Sequence, residues 1–227
     1  MNRLSKSFLA VLVCLAMNSA PLLAAGDKTT DLSADVLEYD TATGIMHATG
    51  SVKMIQDGAV LTGAEARYNS KTQEGVVTGG VVLVKGDMNM QASQVATQGD
   101  NHLVATGNVV ATKGNNVLTG PQVDYYSDRE YAVVPSNARV TMPDGTMTAD
   151  YLESYTKENR VTGQGNVHIV SETKQIDATG DRADYFGDAK GKVILSGNAV
   201  AVQGVNTLRG NTLTLYLADE SKTPVTK

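Results

Sequence analysis

The sequence predicts an all-β fold, a solenoid-like stack of about 13 mainly antiparallel strands, and two observations carry that reading. A glycine-centred step recurs six times, at Gly50-Ser51-Val52, Gly79-Gly80-Val81, Gly107-Asn108-Val109, Ser136-Asn137-Ala138, Gly165-Asn166-Val167 and Gly197-Asn198-Ala199, at spacings of 29, 28, 29, 29 and 32 residues. One supersecondary unit repeated at this interval cannot bury its own apolar face and must stack on its copies. Between the steps lie stretches of period-two alternation bounded by Gly, Asn and Asp, which is strand and turn chemistry. Beyond the first residues no segment carries a helical period. Function in such a stack belongs to a long surface or groove and not to a point site.

Residues 1–25 read as a secretory signal, with Arg3 and Lys6 as the basic region, an apolar stretch from Phe8 to Met17 and a small-residue exit at Ala24-Ala25. The apolar core spans about ten residues, short of the roughly 20 that a membrane-spanning helix needs. Cys14, the one cysteine of the chain, falls inside this leader, so the domain expected over 26–220 has no disulfide to staple it and depends on burial and strand pairing. Removing Arg3 and Lys6 leaves 17 basic and 24 acidic residues and a net charge of −7. No Lys/Arg cluster, no Trp and two Phe argue against a nucleic-acid partner. Residues 221–227 form a polar tail.

Each repeat holds two strands with a turn at either end. One set of turns includes Asp40-Thr41-Ala42-Thr43-Gly44, Gly99-Asp100-Asn101, Ser127-Asp128-Arg129 and Lys157-Glu158-Asn159. The other includes Asp57-Gly58, Lys85-Gly86-Asp87, Gly114-Asn115-Asn116, Pro143-Asp144-Gly145 and Gly204-Val205-Asn206. Asp-Gly pairs favour tight hairpins over parallel coils.

Faces follow from the alternation. In the strand carrying the glycine step, Met46, Ala48, Val52 and Met54 point one way and recur as Val77, Val81 and Leu83, as Leu103, Val109 and Ala111, as Val140, and as Val167 and Ile169. His47, Thr49, Lys53, Asn108, Arg139, Asn166 and Asn198 point the other way, so the sheet is apolar on one side. The second strand of each repeat changes parity. Relative to the small residues Ala34, Gly63, Ala92, Gly120, Ala149, Gly180 and Gly210, apolar residues stand two positions before and three after. A bulge or bend just after the small residue would turn each strand around a corner with its apolar side chains still inside. The cross-section is then V-shaped or closed. Five positions after the small residue come Tyr39, Tyr68, Tyr125, Tyr185 and Leu215, with Thr97 and Ser154 as exceptions, forming a seam near the wet edge of the interior.

Small inner residues and few aromatics fit either a thin dry core or an apolar trough. Met46, Met54, Met88, Met90, Met142 and Met147 would serve both, since thioethers fill gaps and adapt to variable ligands.

Catalytic chemistry finds little support. His47, His102 and His168 lie in different repeats, and two of them are on polar faces. Acids gather as Asp181, Asp184 and Asp188 and as Asp35, Glu38 and Asp40, near turns where solvated carboxylates are common. No nucleophile elbow or phosphate loop occurs. The expectation is no enzyme, no catalytic residue, no metal and no cofactor.

The runs Leu61-Thr62-Gly63-Ala64-Glu65-Ala66-Arg67-Tyr68 with Thr78-Gly79-Gly80-Val81, Leu118-Thr119-Gly120-Pro121-Gln122-Val123-Asp124-Tyr125, and Gly180-Asp181-Arg182-Ala183-Asp184-Tyr185 with Ser196-Gly197-Asn198-Ala199 resemble the OstA-like family. That family comprises periplasmic LptA, membrane-anchored LptC and the N-terminal domain of LptD. The resemblance implies a twisted open β-jellyroll whose interior shelters the acyl chains of lipopolysaccharide (lipid A), with copies bridging the periplasm between LptC-like inner-membrane and LptD-like outer-membrane partners. On that implication Met46, Val52, Met54, Val81, Leu83, Val109, Val140, Val167 and Ile169, with Tyr68, Tyr125 and Tyr185, line the groove. Leu32 and Leu37 on the first strand, and Leu213 and Leu215 on the last, form edges for a head-to-tail homo-oligomer. A chain departure is Pro135, which replaces the ladder donor expected in the fourth repeat. Two other readings compete: a secreted structural or adhesive β-solenoid with a dry core, and a polysaccharide-processing β-solenoid using a carboxylate pair.

Overall fold

The computed structural model describes residues 31–217 apart from 57, 73, 99–100, 127 and 188–190. The leader over 1–25, the tail over 221–227 and Asp188 lie outside the described residues.

Sixteen strands form one sheet: β1 (Asp31–Ser33), β2 (Val36–Asp40), β3 (Ile45–Gln56), β4 (Ala59–Asn69), β5 (Glu74–Lys85), β6 (Met88–Gln98), β7 (His102–Lys113), β8 (Asn116–Tyr126), β9 (Tyr131–Val134), β10 (Ala138–Met142), β11 (Gly145–Ala149), β12 (Tyr151–Tyr155), β13 (Arg160–Ser171), β14 (Ile176–Phe186), β15 (Lys192–Gln203) and β16 (Asn206–Tyr216). Every pairing is antiparallel, and apart from β1 with β3, β8 with β10, β9 with β12 and β11 with β13, where a leg is cut in two, it joins consecutive strands, so the hairpin reading holds over the coil. The one helix among the described residues is a single 3₁₀ turn at Thr156–Glu158, which caps at Asn159 in the left-handed region.

Sixteen segments arise from thirteen hairpin legs because three legs are cut at the corner. β1 and β2 part at Ala34-Asp35, β11 and β12 part at Asp150, and β9 and β10 part around Pro135. Pro135 has no N–H to give the ladder, and Pro121 on β8 faces the same corner, so pairing lapses there between Asp124↔Val133 and Arg139↔Thr119.

The corner is built differently from the sequence reading. The parity change in the second strand is real: on β4, Leu61 is buried on one side of it, and Ala66 and Tyr68 face inward on the other. The backbone distortion, however, sits in the partner strand. Pairing runs Thr49↔Glu65 and then Val52↔Gly63, so the extra residue belongs to β3, and both Gly50 and Ser51 have positive φ. The same tandem recurs at Gly79-Gly80, Gly107-Asn108, Gly165-Asn166 and Gly197-Asn198. Gly and Asn reach the left-handed region at least cost, which explains the composition of the recurring step.

Each leg thus contributes half its length to each of two walls, and the apolar core runs between them from Met54 to Leu217. Over the middle of the stack it is closed to solvent, with Met90, Ala105, Ala111, Val123, Val140, Met147, Leu152 and Val161 fully buried.

Candidate functional site

The interior is open at the first-strand end. There β1 and β2 pair only β3, and Val36, Leu37 and Tyr39 are about half exposed. Between the walls lies an apolar cleft with a free volume of about 30 Å³, room for roughly one water-sized group. Leu32, Met54 and Leu61 line it from one wall, and Met46, Ala48, Ala66, Tyr68, Val77 and Val95 from the other.

Of the residues expected to line a groove, Met46, Met54 and Tyr68 meet at this cleft. Val52, Val81, Leu83, Val109, Val140, Val167, Ile169, Tyr125 and Tyr185 are buried in the packed interior beyond it. Leu32 and Leu213 are half-buried, Leu37 is half exposed, and Leu215 is buried against the core. At the other end β16 pairs only β15, and Leu208 and Tyr216 are each more than half exposed.

Opposite the corner the walls meet again at the mouth. The Tyr185 hydroxyl, from the inner seam of β14, donates to Asp144 Oδ2 in the turn between β10 and β11 at 3.2 Å. Ser171 donates to the Asp144 carbonyl, tying that turn to the end of β13.

Sequence reading missed a recurring clasp over the corner. Asp150 accepts from the Asn166 side-chain amide at 2.8 Å and Asp181 from that of Asn198 at 2.9 Å, while Ser51 donates to Asp35 at 3.3 Å. In each case the acid stands directly after the small residue of one strand and covers the glycine step of the next. A Cβ on Gly197 would lie 2.4 Å from Asp181 Oδ2, so the glycine is required by contact as well as by φ. The signal was the Asp following Ala34, Ala149 and Gly180. Its partner lies 16 or 17 residues away, visible only once register is known. Asp181 is therefore a structural clasp, and Asp40 caps its own turn by accepting from Ala42 and Thr43.

The outer face of the mouth carries a cross-strand ladder of rings and cations in direct register. His102 stacks on Tyr126 with centroids 4.3 Å apart, Tyr126 is 5.8 Å from Tyr131, and Tyr131 is 5.0 Å from Tyr155. Arg160 then lies over Tyr155 at 3.9 Å, and Lys192 over Phe186 at 4.7 Å. Behind it runs a row of acids. His102 Nε2 is 3.0 Å from Asp124. Tyr131 and Tyr151 both donate to Glu153. Burial, then the bond to Glu153, pushes the Tyr131 phenol far above its ordinary range, so it stays a proton donor. Burial also opposes charge on Asp184, but hydrogen bonds from Arg182 and Thr162 and the nearby Arg160 outweigh it and hold the carboxyl below its ordinary range. His168 meets Asp177 across the opposite wall at 2.9 Å. These carboxylates are committed to Arg, His, Tyr and Asn partners, and among the described residues no group of three or more metal-ligating side chains gathers.

Residues 93–221 match the family of LptA and LptD N-terminal domain lipopolysaccharide (LPS) transport proteins. The chain belongs to that family. The matched stretch begins in β6, and the corner and hairpins of β3 to β5 repeat its geometry ahead of it. Among solved structures, the chain is similar to LptH, the LptA-homologous periplasmic component of the LPS transport device of Pseudomonas aeruginosa, with 15% identity and a TM-score of 0.36, over 63% of this chain and 95% of that one. Comparison with curated proteins finds no match. Family membership assigns the fold a general role in LPS transport.

Proposed function

We propose that this chain is a periplasmic carrier of lipopolysaccharide, holding the acyl chains of lipid A between its two walls and joining other copies or family partners through its end strands. The observation that carries the proposal is an apolar interior continuous along the stack and open between the walls at the first-strand end. The function is shielding without turnover. Each methylene moved from water into such an interior contributes about 0.8 kcal/mol, so several acyl chains suffice without a charged anchor. The free cleft is small, so an acyl chain entering past Met46, Met54 and Tyr68 must part the walls ahead of it. Slender inner residues and unbranched methionines suit that motion. The seam of Val52, Val81, Val109 and Ile169 then becomes the path along which the chain lies.

The unpaired edges of β2 and β16 support the bridging part of the reading, because exposed apolar strand edges are templates for strand addition. Partners of LptC-like and LptD-like type at the two membranes fit this mode.

Site-specific photocrosslinking tests the reading. A photoreactive residue at Val52, Val81 or Val109, in cells making labelled lipopolysaccharide, is expected to capture it, while one at Asn166 on the outer corner is not. Absence of adducts at all interior positions, in protein that is folded and exported, would instead favour a dry structural solenoid.

A further inference from the structure

Three buried side-chain polar atoms among the described residues have no hydrogen-bond partner, Asn116 Oδ1, Asn159 Oδ1 and Ser154 Oγ, and of these Ser154 alone stands in the inner seam. Ser154 on β12 is fully buried, and its hydroxyl has no hydrogen-bond partner. Buried polar groups are almost always paired, and an unpaired one calls for an explanation in strain, in a bound water or ion, or in a ligand. The comparison within the chain is direct. Thr97, the other small hydroxyl residue in the tyrosine seam, is paired: its Oγ accepts from the Gly75 N–H at 2.8 Å. Ser154 has no such backbone partner.

Its position is specific. Cross-strand register sets the inner seam in the order Tyr125, Ala132, Ser154, Val161, Tyr185. Ala132, Ser154 and Val161 therefore occupy the stretch between two buried tyrosines that stand four strand spacings, roughly 19 Å, apart. Ser154 is one residue from the end of β12, at the mouth. Inward of it the core is apolar as far as the corner. Outward, the leg ends at Tyr155 and runs into the solvent-facing polar turn Thr156–Glu158. An amphiphile with its tails inside and its head group out changes from one character to the other at this depth, and the group found there in an acyl lipid is a carbonyl.

We propose that Ser154 is a subsite for the ester or amide carbonyl that joins acyl chain to head group, its hydroxyl donating to the carbonyl oxygen when the lipid occupies the interior. The proposal rests on the carrier reading and adds to it the residue that sets how deep the lipid sits. The ligand class is a lipid with carbonyl-linked chains, and a hydrocarbon without a carbonyl gains nothing from Ser154.

The test is equilibrium binding by the full exported chain and its Ser154→Ala variant, with two probes: purified lipid A, and diphenylhexatriene, an apolar rod without a carbonyl. Losing one hydrogen bond to the bound carbonyl is expected to weaken lipid A binding about five- to tenfold. Diphenylhexatriene binding stays unchanged, and the melting temperature of the lipid-free variant rises because an unpaired buried hydroxyl has been removed. Equal lipid A affinity in the two proteins overturns the subsite while leaving the carrier reading standing. A variant that loses both probes and melts lower assigns Ser154 a purely structural role and also overturns it. Failure of the unaltered chain to bind lipid A at all defeats the carrier reading, and the subsite with it.

Discussion

Tyr185 and Asp144, 41 residues apart, join the two walls of the sheet through a hydrogen bond of 3.2 Å at the mouth, opposite the corner that every leg turns. Adjacent hairpins explain how each wall holds together, and this bond acts between walls. Tyr185→Phe keeps the ring in its buried seat and removes the donor. A net loss of about 1 kcal/mol is expected, lowering the melting temperature by about 2–4 °C, as read by circular dichroism.

The corner clasp predicts an ordering of glycine substitutions. Gly197→Ala forces a left-handed φ of +71° on alanine and drives its Cβ against Asp181, whereas Gly80→Ala meets the same strain at φ +72° with nothing within 4 Å. Backbone strain alone costs about 1–2 kcal/mol, so urea denaturation should give roughly that for Gly80→Ala and a larger loss for Gly197→Ala. Equal losses would remove the clasp from the explanation.

Asp184 makes stability depend on acid pH. Its carboxyl titrates lower in the folded chain than in the unfolded one, so the stability it contributes is full above the unfolded value of about 3.9 and fades as pH falls through the folded one. Asp184→Asn should lower the urea midpoint at pH 7, and the gap to the unaltered protein should shrink by pH 3.

Thirteen legs is an odd number, so the first and last legs cross the two walls in the same direction. A copy added head to tail with walls in line must pair its β1–β2 leg with β16 in parallel. With Cys14, the one cysteine of the sequence, replaced by serine, introduced cysteines are free to report this. Ser33→Cys mixed with Thr207→Cys should crosslink under mild oxidation, and Ser33→Cys with Thr214→Cys should not. Leu37→Lys, which puts a charge on the half-exposed first edge, should reduce concentration-dependent association in sedimentation velocity.

The sequence by itself determined the strand content, the hairpin punctuation, the inner and outer faces, the thirteen legs and the family, because a two-residue alternation and Gly/Asn turns are local signals that six repeats reinforce. It also located the parity change, since apolar side chains stay inside on both sides of it. Tertiary structure alone decided which strand carries the bulge, because a register shift belongs to a pair and not to one strand. It paired Asp181 with Asn198 and His102 with Asp124, contacts set by neighbours across the ladder. It also placed Met46, Met54 and Tyr68 at an opening while Val109 and Ile169 lie in packed core. The same inward alternation specifies all five, and only the first-strand end of the stack, where β1 and β2 pair β3 alone among the described residues, separates a cleft from a core.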